Sequence, residues 1–361
     1  MIVVSTHHSA SEPSPPLALA TGELRLDTSE TETHGAEWEA LAADAGSIFG
    51  TREWLSMWWR HYGSDRRLLA TTCRSPDGNL VAILPLYVWM RRPVRIARFL
   101  GHGPGDALGP ICRPEGRPAV ASALLRLLED QGSALLVGER LPADEGWSSL
   151  LGAKVLRREP SPVLALEGTT WDAFFASRSK NFRNSIRSKD KRLAADHQVR
   201  YRLAVDAESF DRDFDLFLSL HRARWPEGSS FIDDEPFQRE FATVAFARGW
   251  CRLWFLELDG EARAAWYGFR FANVDSYYQA GRDPRWDSYS LGLLLHVHTI
   301  REAAADGVRE YRFLRGGEEF KSRFASHDHE LETIALGRTF AGRTAVRASA
   351  RLPRPILRRL A

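Results

Sequence analysis

Apolar residues recur along this chain with two periods, and the switches between them lay out its elements. From Thr51 to Tyr62 the residues Trp54, Leu55, Trp58 and Trp59 share one face at helical spacing. From Arg67 to Arg91 the pattern becomes that of strands, folded at Pro76-Asp77-Gly78-Asn79, where Asp-Gly supplies the backbone angles a tight turn needs. A first strand at Leu24 to Leu26 precedes these. Ile96 to Leu100 (strand), a Gly/Pro-rich loop from Gly101 to Pro110, the helix Ala119 to Asp130, and short strands at Ala134 to Val137 and Val163 to Leu166 follow, closing an α+β unit.

The second half repeats this logic more fully. Helices are predicted over Trp171 to Ala176, Asn181 to Ala195, Phe210 to Trp225 and Pro236 to Arg248, the last ended by Gly249 in the left-handed position just past a helix. Strands follow at Arg252 to Leu258, Ala262 to Phe271 and Asp275 to Ala280. The helix Leu291 to Ala305, closed by Gly307, crosses to a strand at Val308 to Leu314, and Glu330 to Leu336 is a final strand. The economical reading is two tandem copies of one fold, residues 23–166 and 167–337, joined near Glu159 to Gly168. Residues 1–22 read as a disordered leader and 338–361 as a basic tail.

Composition narrows the classes. The 361 residues are 44% hydrophobic, enough for two cores. Cys73, Cys112 and Cys251 are odd in number and show neither CxxC nor Cys/His ligand spacing, which argues against a disulfide framework or a structural zinc and fits a reducing compartment. The Ser/Pro/His-rich start has no basic n-region before an apolar core, and the longest apolar run, Leu80 to Met90, is interrupted by Pro85. A cytoplasmic protein is expected. Net charge is +2, yet from Arg338 onward the chain carries seven arginines and no acid. Such a tail fits peripheral contact with anionic lipid at the inner membrane surface, or simply a solvated terminus.

Trp266-Tyr267-Gly268-Phe269, Tyr277-Tyr278-Gln279-Ala280-Gly281-Arg282-Asp283, Ser290-Leu291-Gly292 through His296, and Tyr311-Arg312-Phe313-Leu314-Arg315-Gly316 through Lys321 resemble the GNAT acyltransferase superfamily, and within it the FemAB-like, CelD/BcsL branch. The resemblance extends over most of residues 24–336, with its specific motifs in the C-terminal half. It implies two GNAT-like domains, each a mixed, mostly antiparallel sheet flanked by helices, with a V-shaped splay between two parallel strands in the second. The chain departs from the superfamily at the pyrophosphate loop. Tyr289-Ser290-Leu291-Gly292-Leu293-Leu294 lacks the usual first polar and last small residues.

What the resemblance implies for chemistry is an acyl thioester, acetyl-CoA or another acyl-CoA, lying in the splay, with Ser290, Leu291, Gly292 and Leu293 cradling its pyrophosphate at a helix N-terminus. Alone, that turn reads as an ordinary serine cap. Glu318 is the candidate general base, with Asp283 as the competing carboxylate; Arg315 and Lys321 are placed to hold an anionic part of the acceptor or cofactor. Tyr278 or its neighbour Tyr277 faces the cleft, because side chains alternate, and Tyr278 is the candidate acid for the leaving thiolate. His221 reads as a core or rim histidine that also fits the acceptor pocket. Arg183 and Arg187 lie on a basic stripe of the Lys180 to Arg192 helix suited to a phosphorylated, lipid-linked or nucleotide-linked acceptor. His296 and His298, two residues apart, form no metal pair, and no metal or DNA is expected.

Three functions compete. The first is an acyl-CoA-dependent N- or O-acyltransferase acting on a sugar, amino sugar or small amine in exopolysaccharide or cell-envelope synthesis, by direct attack on the thioester. The second is a Fem-like transfer from aminoacyl-tRNA; against it stand the missing heptad-patterned arm and the acidic body of the chain. The third is a catalytically silent double domain addressed to a partner or membrane by its tail.

Overall fold

The computed structural model describes residues 24–27, 35–91 and 94–349, so the leader before Leu24 and the tail beyond Ser349 lie outside the described residues. The first half contributes β1 (Arg25–Asp27), α1 (Gly35–Asp44), α2 (Arg52–Tyr62), β2 (Arg67–Arg74), β3 (Leu80–Arg91), β4 (Val94–Phe99), β5 (Ile111–Cys112), α3 (Arg117–Asp130), β6 (Leu135–Pro142), α4 (Trp147–Leu150) and β7 (Lys154–Glu159). The second contributes β8 (Pro162–Ala165), α5 (Trp171–Ser177), α6 (Lys180–Asp196), β9 (Val199–Leu203), α7 (Phe210–Arg224), α8 (Ser230–Asp233), α9 (Glu235–Ala247), β10 (Cys251–Leu258), β11 (Glu261–Phe271), β12 (Val274–Arg282), α10 (Leu291–Ala305), β13 (Glu310–Arg312), α11 (Glu319–Phe324), β14 (His327–Asp328), β15 (Leu331–Gly337) and α12 (Phe340–Ser349). The mixed α+β class with two helix-flanked sheets is as expected.

The two sheets repeat one plan. In the first, β4 and β6 run parallel with α3 crossing between them; in the second, β12 and β13 run parallel with α10 crossing. Strand order is β1-β2-β3-β4-β6-β15-β7, with β5 on β3, and β14-β8-β13-β12-β11-β10-β9. Here the expected partition needs correcting. The strand expected to close the first unit, β8, pairs with β13 of the second sheet, and the strand expected to close the second, β15, pairs with β6 and β7 of the first. The halves exchange their closing strands.

They also share a core. Trp54 of α2 sets its ring edge-on against Phe237 (5.0 Å) and Phe241 (4.6 Å) of α9, and this aromatic cluster continues into Phe214, Phe217 and Tyr267. Separate clusters lie under α3 and under α10. Burial of this many aromatic rings, each worth about 1.5–3 kcal/mol, fixes α2 and α9 as one unit.

Two local features open the splay. The register of β11 on β12 shifts between Tyr267, opposite Gln279, and Gly268, opposite Tyr277, so Tyr278 faces no partner and forms a β-bulge. On the other edge, β13 pairs with β12 only from Val274 to Ser276 and stops at Arg312, shorter than the expected strand. The chain then follows the exchanged β8 strand and its approach, Phe313 N–H donating to Pro162 O and Gly316 N–H to Pro160 O, each at 3.0 Å. Leu314 (φ +55°) and Gly316 (φ +116°) take the left-handed conformations this departure requires.

Candidate active site

Beyond Ser276 the edge of β12 is free, and the side chains that converge there come from three elements. Tyr277 stands edge-on to His296 of α10 at 4.3 Å, and Lys321 Nζ of α11 lies 5.9 Å from the Tyr277 ring centre. Burial raises the pKa of the Tyr277 phenol, and the Arg224 guanidinium at the end of α7 offsets part of that rise. Burial, reinforced by the Lys321 and Arg224 cations, pushes His296 down to about 3, so it stays neutral.

Lys321 is 2% exposed. Its ammonium donates to the Arg315 carbonyl at 2.7 Å and pairs with Glu318 Oε2 at 2.9 Å, and desolvation holds its pKa below the ordinary lysine value. This buried cation pins the left-handed turn between β13 and α11. Glu318 occupies the N-cap position of α11 without a side-chain cap bond and, though paired with Lys321, is more than half exposed to solvent.

Arg315 is held by the first half. Its backbone N–H donates to Asp106 Oδ2 at 3.2 Å, and its Nε lies 3.6 Å from Asp106 Oδ1. Asp106 is 3% exposed, and Arg140, which donates to the carbonyls of Gly103 and Gly105, approaches the same carboxylate at 3.7 Å. The glycine-rich loop after β4 thus forms one wall of the cleft, with Asp106 as its charged centre.

At the other end of β12, Ser290 (φ +57°) joins a short 3-10 turn, Pro284–Tyr289, to α10. Ser290 O accepts from the N–H groups of Leu293 and Leu294, while those of Leu291 and Gly292 head the helix with no intrahelical acceptor. A Cβ added at Gly292 would meet nothing within 4 Å. Lys189 of α6 donates to Ser290 Oγ at 3.0 Å, which brings a cation to the positive end of the helix dipole. Leu291 itself is buried and Leu293 packs against the core beneath α10, so this pair contributes backbone rather than side chains.

The remaining expected residues serve the framework. Asp283 caps the 3-10 turn through the Arg285 N–H and pairs with the Arg285 and Arg263 guanidinium groups, which hold its carboxyl below the usual range. Tyr278, expected as the acid, turns to the aromatic core between the halves; its phenol donates to Pro104 O at 3.0 Å and accepts from Gln238 Nε2 at 3.1 Å. Tyr277 occupies the position beside Lys321 instead. His221 donates from Nδ1 to Ala280 O and accepts the Ser229 hydroxyl at Nε2, both at 2.9 Å, and burial lowers it to about 4. Arg183 bonds the carbonyls of Ala176 and Arg178, and Arg187 lies over the Phe175 ring, so both secure α5. Asp106, Arg224 and Lys189 were not singled out from sequence, and Tyr277 was left as the alternative to Tyr278. The tyrosine pair carried the one usable signal, since either member was open on alternation alone.

Among the described residues no cluster of three metal-ligating side chains occurs, and no helix is long and apolar enough to cross a membrane.

Residues 180–322, from the start of α6 into α11, match the family model described as "Acetyltransferase (GNAT) domain". This segment holds β12, the head of α10, β13 and Lys321. No curated protein matches the sequence. Among solved structures, one described as FemX aligns with TM-score 0.57 and 9% identity over 82% of this chain and 95% of its own. The C-terminal domain of a putative lysylphosphatidylglycerol synthetase from Agrobacterium fabrum aligns with TM-score 0.51 and 12% identity, and L-PGS from Bacillus licheniformis with TM-score 0.51 and 13% identity. Each covers 87% of this chain and 95% of its own. At such identities the structures share a fold. The domain match over residues 180–322 supports a transferase of the acyltransferase class.

Proposed function

We propose that this acyltransferase takes its acyl group from a coenzyme A thioester and passes it to an amine or hydroxyl of a sugar, amino sugar or small amine, as in exopolysaccharide or cell-envelope synthesis. The observation that carries the reading is the splayed pair β12/β13 with an open helix head, Gly292 beside Lys189, at its wide end. The pyrophosphate would meet the Leu291 and Gly292 N–H groups and the Lys189 ammonium, and the pantetheine arm would run along β12 toward Tyr277.

At the narrow end the acceptor nitrogen or oxygen attacks the thioester carbonyl. A C–N or C–O bond forms, the C–S bond breaks, and the nucleophile's proton goes to Glu318, directly or through water. The leaving thiolate takes a proton, for which the Tyr277 phenol is the nearest donor. Two cations, Lys321 and Arg224, flank the site where oxyanion charge develops, and such fixed charges act most strongly where water is excluded. No cysteine lies in the cleft motifs, so direct attack is preferred to an acyl-enzyme. The arginine-rich segment from Arg338 would supply peripheral contact with an anionic membrane.

A second reading has one observation in its favour. The neighbours aligned at TM-scores above 0.5 include FemX, the C-terminal domain of a putative lysylphosphatidylglycerol synthetase and L-PGS, and the exposed cations of α6 suit an aminoacyl ester carried on tRNA.

Calorimetric titration with acetyl-CoA, a longer acyl-CoA, free coenzyme A and uncharged tRNA separates the two. The acyl-CoA reading expects micromolar binding of the first three, abolished by Gly292→Trp, whose Cβ would meet no neighbour within 4 Å. Salt-sensitive binding of tRNA alone would overturn it in favour of the ester.

A further inference from the structure

Six large apolar side chains are exposed among the described residues, and three of them, Leu68, Met90 and Phe340, stand at one end of the first sheet. At that end β2, β4 and β6 begin and β3 and β15 finish. Hydrogen bonds tie it into one surface. Met90 sits opposite Arg95 in the β3–β4 pair, the Ala134 N–H donates to Arg95 O at 3.0 Å, and the Arg338 N–H donates to Ala134 O at 2.9 Å. Arg67 and Arg95 both reach Gln131 at the end of α3, on its side-chain oxygen at 2.7 Å and its carbonyl at 3.2 Å.

The helix α12 starts on this surface with Gly342 buried against the Ala134 carbonyl, which turns its other face outward. Phe340, Arg343 and Arg347 follow one another at intervals of three and four, so they share that outward face, and all three are exposed, Phe340 to 81%. The charges at this end are Arg67, Arg95, Arg338, Arg343 and Arg347 against Glu129 and Asp130, a net of +3. Only Arg338 of the five pairs with a described carboxylate, Glu129, at 2.9 Å. A single exposed apolar side chain is ordinary on any protein, but three gathered among uncancelled arginines form a patch with a preferred partner.

We propose that this end of the first sheet, together with α12, docks on an anionic lipid bilayer. Phe340 and Met90 enter the boundary between headgroups and acyl chains, with Leu68 at the rim, and the arginines meet the lipid phosphates. The choice of an anionic membrane rests on the contact proposed above for the arginine-rich segment; the placement on the folded body does not. Arginines alone would suit any polyanion, whereas the phenyl and thioether beside them gain from a bilayer and find nothing on a phosphate backbone. The docked face leaves the cleft clear. Six-residue β4 runs from this end to the glycine-rich loop that walls the cleft, which separates the two by roughly 20 Å at about 3.3 Å per residue.

Flotation of the full chain with phosphatidylcholine vesicles, and with vesicles that also contain phosphatidylglycerol, tests this at low and high salt. Two double variants address the face, Phe340→Ser with Met90→Ser and Arg343→Glu with Arg347→Glu, and a third protein replaces Arg351, Arg354, Arg358 and Arg359 by Gln. Thermal unfolding confirms that each is folded. The expected result is salt-sensitive binding to the phosphatidylglycerol vesicles alone, at least about tenfold weaker in both face variants and largely kept in the Gln variant, with acyl-CoA titration unchanged in all. Parental binding by both face variants, with loss in the Gln variant, overturns the docking face and leaves the tail contact standing. Failure of every protein to bind vesicles overturns both, as does binding of duplex DNA or tRNA in place of vesicles.

Discussion

Gly281 and Gly292 stand eleven residues apart in the same strand-to-helix segment, yet the structure assigns them opposite sensitivities to one added methyl. A Cβ at Gly281 would lie 2.5 Å from His221 N, 2.6 Å from Leu220 C and 2.8 Å from Leu220 Cβ, so α7 rests directly on the backbone of β12. Ordinary carbon contacts are about 3.5–4.0 Å, so Gly281→Ala must drive the helix back by roughly 1 Å. Overpacking of that kind costs about 1–3 kcal/mol, and loss of the His221 bond to Ala280 adds about 1 kcal/mol. The expected fall is about 2–4 kcal/mol, a large share of a stability of roughly 5–15 kcal/mol. Because α7 ends at Arg224, the same retreat withdraws that guanidinium from Tyr277, and acyl-CoA affinity should fall with stability. Gly292→Ala meets open space and should stabilise by up to about 0.5–1 kcal/mol. Urea unfolding of both variants, with acyl-CoA titration of the folded proteins, reads the contrast. A Gly281→Ala protein within about 0.5 kcal/mol of the parent, or one less damaged than Gly292→Ala, would refute the direct seating of α7 on β12.

His221 contributes an acid-side loss of stability. Its pKa falls from 6.5 unfolded to about 4 folded, so the unfolded chain takes up a proton first; stability is full above pH 6.5, declines as pH falls toward 4 and levels below. At 1.36 kcal/mol per unit the loss is at most about 3 kcal/mol, and His221→Gln should lack it when unfolding is followed from pH 7 to pH 4. Lys321→Met removes the clamp on the Arg315 carbonyl while recovering the cost of burying an ammonium. Its melting temperature should move little, but acyl transfer should drop by tenfold or more; a variant with parental turnover would exclude Lys321 from the site.

The continuous run from β10 through α10 was legible because its periodicities are clean and its turns carry Asp259-Gly260, Asn273 and Gly307. β9 escaped notice because Arg200 and Arg202 interrupt it, their charges answered only in space by Glu257 and Asp213. α1, β7 and α12 were likewise unpredicted. Which tyrosine faces the splay was hidden by the bulge at Tyr278, since alternation says nothing about where an extra residue enters. Lys189 and Asp106 reach the site from elements far away in sequence, a proximity that spacing does not encode. The exchanged strands illustrate the same limit: pattern identifies a strand, whereas its partner is chosen by tertiary packing.

That exchange dictates how the protein can be cut. A gene fragment beginning at residue 167 would express β13 without β8, exposing the unpaired edge beside the splay and removing the carbonyls of Pro160 and Pro162 that steer the chain toward Lys321. The complementary fragment would present β6 and β7 with a gap where β15 belongs. Each piece would carry open strand edges into solution, the usual seed of aggregation. Two copies of the chain, meanwhile, could satisfy those edges by trading strands between molecules, so hinge changes near Glu159 to Gly168 are the place where a monomer would turn into an intertwined dimer.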